Sequence, residues 1–334
     1  MKFFIFIPLL IGAAQSVLVP EIQGPYSVAS KVQDLTDASR LDPYAPPESS
    51  AFRRILISIF LPLNASQFPC SPEVAPYLPP ETTRVNTQLA VGLGLPDDFV
   101  GAFEVDYCKL PAATACKNAK KDSAFSVAIF SSGHSISRLL YTALARGLAS
   151  HGYVVITIDH PYDAEIVEFP DGTVIRGPDD TTSESATLRN LRVRTGDISF
   201  VINQLHNRTM LGHLTKGFPH HVDVSSIAGT TGLENWNPFW AHLNDTRVEL
   251  TISNTTHVSF LDIPLLLTAY PLPSELRPKM EAAFGTVDGR HMGEIVEGIL
   301  TAFFDVLFRG WVARLCDLKR KFQEVIIVRS SLPQ

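Results

Sequence analysis

The 334-residue chain has no surplus of positive charge. Its 28 Lys and Arg stand against 34 Asp and Glu, a formal net charge of −6, which excludes a nucleic-acid binder that works through bulk positive charge. Cysteine is scarce, at four residues, and neither a C-x-x-C pair nor an H-E-x-x-H motif occurs. Nothing therefore has the spacing of metal ligands, and neither a metal site nor a cofactor is expected. No run is apolar and long enough to span a bilayer; the longest candidate, Ile295–Phe308, contains Glu297 and Asp305. Internal repeats and low-complexity tracts are absent too. What is present is ordinary globular material: 45% hydrophobic and 19% charged residues, which argues against wholesale disorder. The length allows one large or two small domains, with a core that needs no disulfide scaffold. Proline is abundant, at 24 residues, and much of it lies in the first third, where loops are expected.

Residues 1–16 have the organisation of a secretory signal. Lys2 supplies the positive start, Phe3 to Gly12 the apolar run, and Ala14-Gln15-Ser16 the small-residue cleavage site. Four Asn-x-Ser/Thr triplets follow, at Asn64, Asn207, Asn244 and Asn254. A secreted glycoprotein is expected, modified at Asn64, Asn207 and Asn244. Asn254 is set aside because a glycan there would crowd the candidate histidine described below. The cysteines are Cys70, Cys108, Cys116 and Cys316. Four cysteines allow three pairings; Cys108–Cys116, closing a short loop across Pro111, is the first choice, with Cys316 left free.

The pattern along the chain is that of an α/β protein. Residues 17–50 are polar and proline-rich and are expected to be an extended leader, with a single domain over 51–330. Residues 54–61 form a strand, and 62–120 are mostly loop. Residues 125–130 are a short apolar strand, 131–137 a glycine-containing polar turn, and 137–149 a helix with Leu140, Leu144 and Leu148 four apart. Residues 153–158 are a continuous apolar strand. Strand, turn, helix and fully apolar strand make a βαβ unit in a buried, mostly parallel sheet with helices on both faces. An acidic loop over 171–184, a helix over 188–205, a strand over 247–252, an apolar helix over 294–308 and a last strand over 324–328 complete the reading.

The residues at these joints are sharper than the pattern. Phe130-Ser-Ser-Gly133, Ser137-Arg-Leu-Leu-Tyr141, Leu148-Ala-Ser-His-Gly-Tyr153, Ile158-Asp-His-Pro-Tyr-Asp163, Thr256-His257-Val-Ser-Phe-Leu-Asp-Ile-Pro264 and Phe284-Gly-Thr-Val-Asp-Gly289 come in this order. Together they resemble the platelet-activating factor acetylhydrolase family, over roughly residues 50–330. The resemblance implies an α/β-hydrolase fold and calcium-independent hydrolysis of a short or oxidised sn-2 acyl chain of a phospholipid, with a phospholipid or lipid surface as partner. That chemistry takes a serine nucleophile, a histidine base, an acid that orients it, and backbone N–H donors for the oxyanion. His257 falls at the family's catalytic histidine, and the N–H of His134 at one oxyanion donor.

The nucleophile is not there. The elbow G-x-S-x-G occurs nowhere in the chain, and the strand that should carry it, from Val222 to Ala228, runs on into Gly229-Thr-Thr-Gly232. From Asn207 to Thr246 the chain is too short for the elbow strand and two further strand–helix units, since each βαβ unit takes about 30 residues. The fold is thus expected to be truncated in the middle, with a deletion near 228–236 that removes the serine, its following N–H and the acid. The deletion reflects either a skipped exon or a true loss that leaves a lipid-binding protein without turnover. Gly133-His134-Ser135 resembles half an elbow and makes Ser135 the alternative nucleophile; a helix cap is its competing role. Asp159 and Asp163 are read as turn or capping residues, Asp262 as a surface or helix-start acid, and His220-His221 as solvated loop.

Overall fold

The computed structural model describes residues 16–21, 24–45, 48, 50–110, 124–177, 184–230 and 247–331. The expected signal up to residue 15, Cys116, Asn244 and the 231–236 part of the expected deletion lie outside them. A two-residue strand, β1 (Val17–Leu18), precedes the fifteen-residue strand β2 (Ser27–Leu41). The expected leader is thus part of the sheet. Its strand was hidden because β2 lies at a sheet edge and buries only Ala29, Leu35 and Asp37, which leaves a mostly polar sequence. Strand β3 (Phe52–Leu63) is nearly all buried and correspondingly aliphatic. The stretch read as loop contains β4 (Pro72–Pro76), α1 (Pro80–Gly92) and β5 (Phe103–Cys108). Proline at the first position of α1 forfeits no helical hydrogen bond, so Pro79-Pro80 starts a helix instead of extending a loop.

The predicted βαβ unit is β6 (Ala124–Ser131), α2 (Thr142–Ser150) and β7 (Val154–Asp159), with a 3-10 turn over Arg138–Tyr141 capped by Ser137. A hairpin, β8 (Ile166–Glu168) and β9 (Val174–Arg176), occupies the start of the acidic loop. Then follow α3 (Glu184–His206), α4 (Arg208–Leu214), β10 (His221–Thr230) and β11 (Val248–Ile252). The chain continues with α5 (Ile263–Ala269), α6 (Arg277–Phe284), α7 (Gly289–Arg309), α8 (Ala313–Lys321) and β12 (Val325–Ser330). Gly289 is obligatory: a Cβ there would lie 1.9 Å from the Pro264 carbonyl oxygen, so α7 starts against the backbone of α5.

Five strands make the main sheet, in the order β10-β6-β7-β3-β2. β10, β6 and β7 are parallel, and β3 is antiparallel to both its neighbours, so four of the five strands run one way. Alternate residues serve opposite faces. Val127, Ile129, Val154, Ile156 and Ile158 pack with Val201, Leu205 and Leu214 of α3 and α4. Ala128 and Val155 pack with Leu144, Ala145 and Leu148 of α2 and Phe304 of α7. Helices therefore cover both faces, as predicted. Among the described residues β11 and β12 form a separate antiparallel ribbon. His220 is not solvated loop, because its ring packs on Phe68, Phe125 and Phe218.

The disulfide joins Cys70 to Cys108, not Cys108 to Cys116. Antiparallel pairing sets Pro72 opposite Cys108, which brings Cys70 alongside with its Cα 5.1 Å away. Sequence proximity to Cys116 could not reveal that register. Replacing Cys70 and Cys108 with alanine, which opens a loop of 38 residues, is expected to lower the unfolding free energy in urea by about 2–4 kcal/mol.

Asp262 stands at the start of α5, as one of its two readings had it, but it is buried and not a surface acid. Its Oδ2 accepts the Tyr77 hydroxyl at 3.0 Å and the Ala143 N–H at 2.8 Å, so it caps α2 from the far side of the core. Burial pushes its carboxyl up to about 7, although these donors and the more distant Arg146 pull it down. The folded state therefore holds a proton that the unfolded chain releases near the ordinary carboxylate value. Asp262 contributes stability at low pH that is lost as pH rises from about 4 to about 7. Asp262→Asn is expected to flatten that part of the stability profile, measured by denaturant titration at several pH values.

Candidate active site

Because β6 and β7 are parallel, their C-terminal ends, Ser131 and Asp159, meet at one rim of the sheet, where α/β folds place ligands. A serine, a histidine and an aspartate are hydrogen-bonded in series there. Ser131 Oγ lies 2.9 Å from His160 Nε2, and His160 Nδ1 lies 2.9 Å from Asp197 Oδ2. The aspartate also binds Arg53 through both oxygens, at 3.2 and 2.8 Å, and Arg40 at 2.9 Å. Burial opposes its charge, but His160 and Arg53 outweigh burial and hold its carboxyl down to about 2. Burial and the nearby Arg194 lower the pKa of His160, against the pull of Asp197. The ring is then neutral near pH 7, donates from Nδ1 to the carboxylate, and accepts the serine O–H at Nε2. This is the bonding order of a hydrolytic triad, but it is sealed: Ser131 is 3% exposed, and His160 and Asp197 are 0% exposed. A substrate carbonyl cannot approach it. The array is a structural tie between the ends of β6 and β7 and helix α3.

The residues after Ser131 form the rim itself. The Gly133 carbonyl accepts the Ile136 N–H at 3.2 Å, which closes a turn with His134 and Ser135 at its centre. Ser135 sits at φ 61°, a left-handed conformation that glycine or asparagine adopts more readily. Ser135 does not cap the helix; Ser137 does. Nor does Ser135 have a histidine or carboxylate within hydrogen-bond reach among the described residues. The His134 side chain is exposed, with Nδ1 3.5 Å from Asp163. Asp163 is buried and held by Arg194 at 2.7 and 2.9 Å, and Asp159 accepts the Arg138 N–H at 2.6 Å. Both aspartates organise turns, as their positions suggested.

His257 opens a 3-10 turn, His257–Phe260, directly after β11, and its side chain is exposed. Val258 and Leu261 pack on the same apolar cluster as Ile136 and Leu139, and the Asp262 N–H donates to Leu140 O at 2.8 Å. The histidine turn is thereby docked beside the His134 turn. No serine or carboxylate binds His257 among the described residues. Sequence reasoning missed Arg194 and Asp197, because the polar run from Arg189 to Asp197 reads as a solvated helix face. The available signal was Arg53, which with Arg54 puts two charges at the start of a strand that is apolar over most of its length.

The family model for platelet-activating factor acetylhydrolase, isoform II, matches residues 11–169. A probable 1-alkyl-2-acetylglycerophosphocholine esterase of Arthroderma benhamiae is 34% identical over 213 residues, 59% of this chain and 53% of that protein. Over its first half the chain is similar to the platelet-activating factor acetylhydrolase family. It spans about half the length of the acetylhydrolase-type relative it matches. In fold it is similar to a ferulic acid esterase from Streptomyces cinnamoneus, with a TM-score of 0.64 over 95% of this chain and 100% of that one, at 22% identity. An α/β architecture, a mostly parallel sheet with helices on both faces, is thus the one observed, and the family match ends before β10.

If Ser135 is a strained turn residue and not an elbow nucleophile, its backbone decides what the position accepts. Ser135→Gly is expected to keep stability within about 0.5 kcal/mol, while Ser135→Val costs about 1–2 kcal/mol. Thermal and urea unfolding of the two variants measure the difference.

Proposed function

We propose that this chain is a secreted, glycosylated relative of phospholipid-ester hydrolases that keeps the acid–base histidine and one oxyanion donor, but hydrolyses little or no ester. The parent chemistry is removal of a short sn-2 acyl chain from a phospholipid. The observation that carries the reading is His257. It is exposed at the rim beside the His134 turn, yet has neither a serine nor an acid to work with among the described residues. Only residues 231–247 separate β10 from β11, fewer than the roughly 30 residues of one strand–helix–strand unit. An internal deletion between the elbow strand and the histidine strand accounts for this. Without the nucleophile, only residual catalysis from binding and a half-built oxyanion site remains.

Two features support the compartment. The Cys70–Cys108 bridge suits an oxidising environment. Asn207 is exposed at the cap of α4, and Asn64 lies in a surface turn, so both sequons are open to modification. A second reading, lipid contact without turnover, is favoured by one observation. Phe303, Leu307 and Trp311 recur one helical turn apart along α7 and past its end, and are 39%, 53% and 48% exposed. Helix α7 therefore buries one side, with Ile295, Ala302 and Phe304, and leaves an apolar edge exposed.

Incubation of the purified chain with a fluorophosphonate serine probe tests the main reading. No stoichiometric adduct is expected. One adduct per chain, with the label mapped to a serine, overturns it. An in-frame G-H-S-x-G-G in the transcript across codons 228–230 would identify a skipped exon as the origin of the gap.

A further inference from the structure

We propose that Arg194 is a positioning residue for the oxyanion turn: it pulls the carbonyls of Ser132 and Gly133 inward, so that the His134 N–H is presented at the rim. The inference rests on the esterase-derived reading of that rim. Arg194 is buried on α3 and uses its guanidinium as a two-sided fork. On one side, Nε and Nη2 bind both oxygens of buried Asp163. On the other, Nη1 donates to Ser132 O at 2.7 Å and Nη2 to Gly133 O at 2.8 Å. Two consecutive backbone carbonyls are thus held by one rigid cation. Lysine could not supply that geometry, because its donors sit on a single nitrogen.

The consequence follows from peptide geometry. In a planar trans peptide the C=O and the next N–H point in opposite directions. Fixing the Ser132 and Gly133 carbonyls toward α3 turns the N–H groups of Gly133 and His134 away from it. Gly133 N–H meets Tyr141 Oη at 3.4 Å. The His134 N–H has no partner among the described residues. Rotation of these peptides would turn carbonyl oxygens outward and place an acceptor where an oxyanion needs a donor. The Ile136 N–H also holds Gly133 O, but Ser132 O is held by Arg194 alone among the described residues. A buried Arg–Asp pair needs no carbonyl partners to be neutral. That it takes two from a rim turn is what singles it out.

The test compares the full chain with Arg194→Lys, which keeps the charge opposite Asp163 but not the fork. The first readout is residual hydrolysis of p-nitrophenyl acetate above the buffer rate. The second is the amide proton and nitrogen shift of His134. Arg194→Lys is expected to lower kcat at least about tenfold with KM within about twofold, and to move the His134 amide resonance. Partial restoration of kcat in Arg194→Ala by added guanidinium would mark positioning and not mere folding. An unchanged kcat together with an unmoved His134 amide overturns the proposal. If the unaltered chain shows no hydrolysis above buffer, as the loss of the nucleophile predicts, the kinetic readout drops out. The amide shift then decides the positioning claim alone: displacement supports it and no displacement overturns it.

Discussion

A carboxylate without access to water, that of Asp197, holds the rim of this protein together. It receives Arg53 from β3, Arg40 from β2 and His160 from the end of β7, and through His160 it reaches Ser131 at the end of β6. An isolated charge in that position is prohibitively expensive; one that is fully partnered is tolerated, and removing a single partner costs about 3–5 kcal/mol. Four strands and a helix are thereby fixed at the end of the sheet where chemistry is done. Arg194, one helical turn before Asp197, extends the same logic to the loop above. The rigidity of the rim is built from buried ion pairs, while the body of the sheet beneath is held by aliphatic packing on both faces.

This arrangement leaves two histidines with opposite defects. His160 has its full set of partners, a serine on one nitrogen and a carboxylate on the other, but no path for a substrate. His257 stands at the rim in the open, next to a turn with an N–H to spare, but without serine or carboxylate. Hydrogen-bond topology alone would select the first as the active residue. Accessibility and position after β11 select the second. Catalysis needs partners and access at one site, and among the described residues no site has both.

Much of this was legible in the sequence where packing dictates the residues. The apolar strands β6 and β7, the glycine turn between β6 and α2, and the histidine after β11 all follow from short-range pattern. Three things were not legible, each for a physical reason. Strand β2 is an edge strand whose solvent-facing residues erase the alternation. The Cys70 pairing depends on the register of β4 against β5, which no local pattern encodes. Arg194 and Asp197 look like a charged helix surface until the helix is laid against the sheet, when both become buried. Polar clusters that owe their meaning to tertiary contact are what a linear reading assigns to solvent.

The most direct measurement is acetate release from 1-alkyl-2-acetylglycerophosphocholine by the purified full chain, followed over many protein equivalents. On the proposal that His257 is a retained base whose serine partner has been lost, no sustained turnover is expected, and His257→Ala is expected to change nothing. Sustained release that His257→Ala abolishes would contradict this, since the imidazole would then have a working hydroxyl partner in the folded chain.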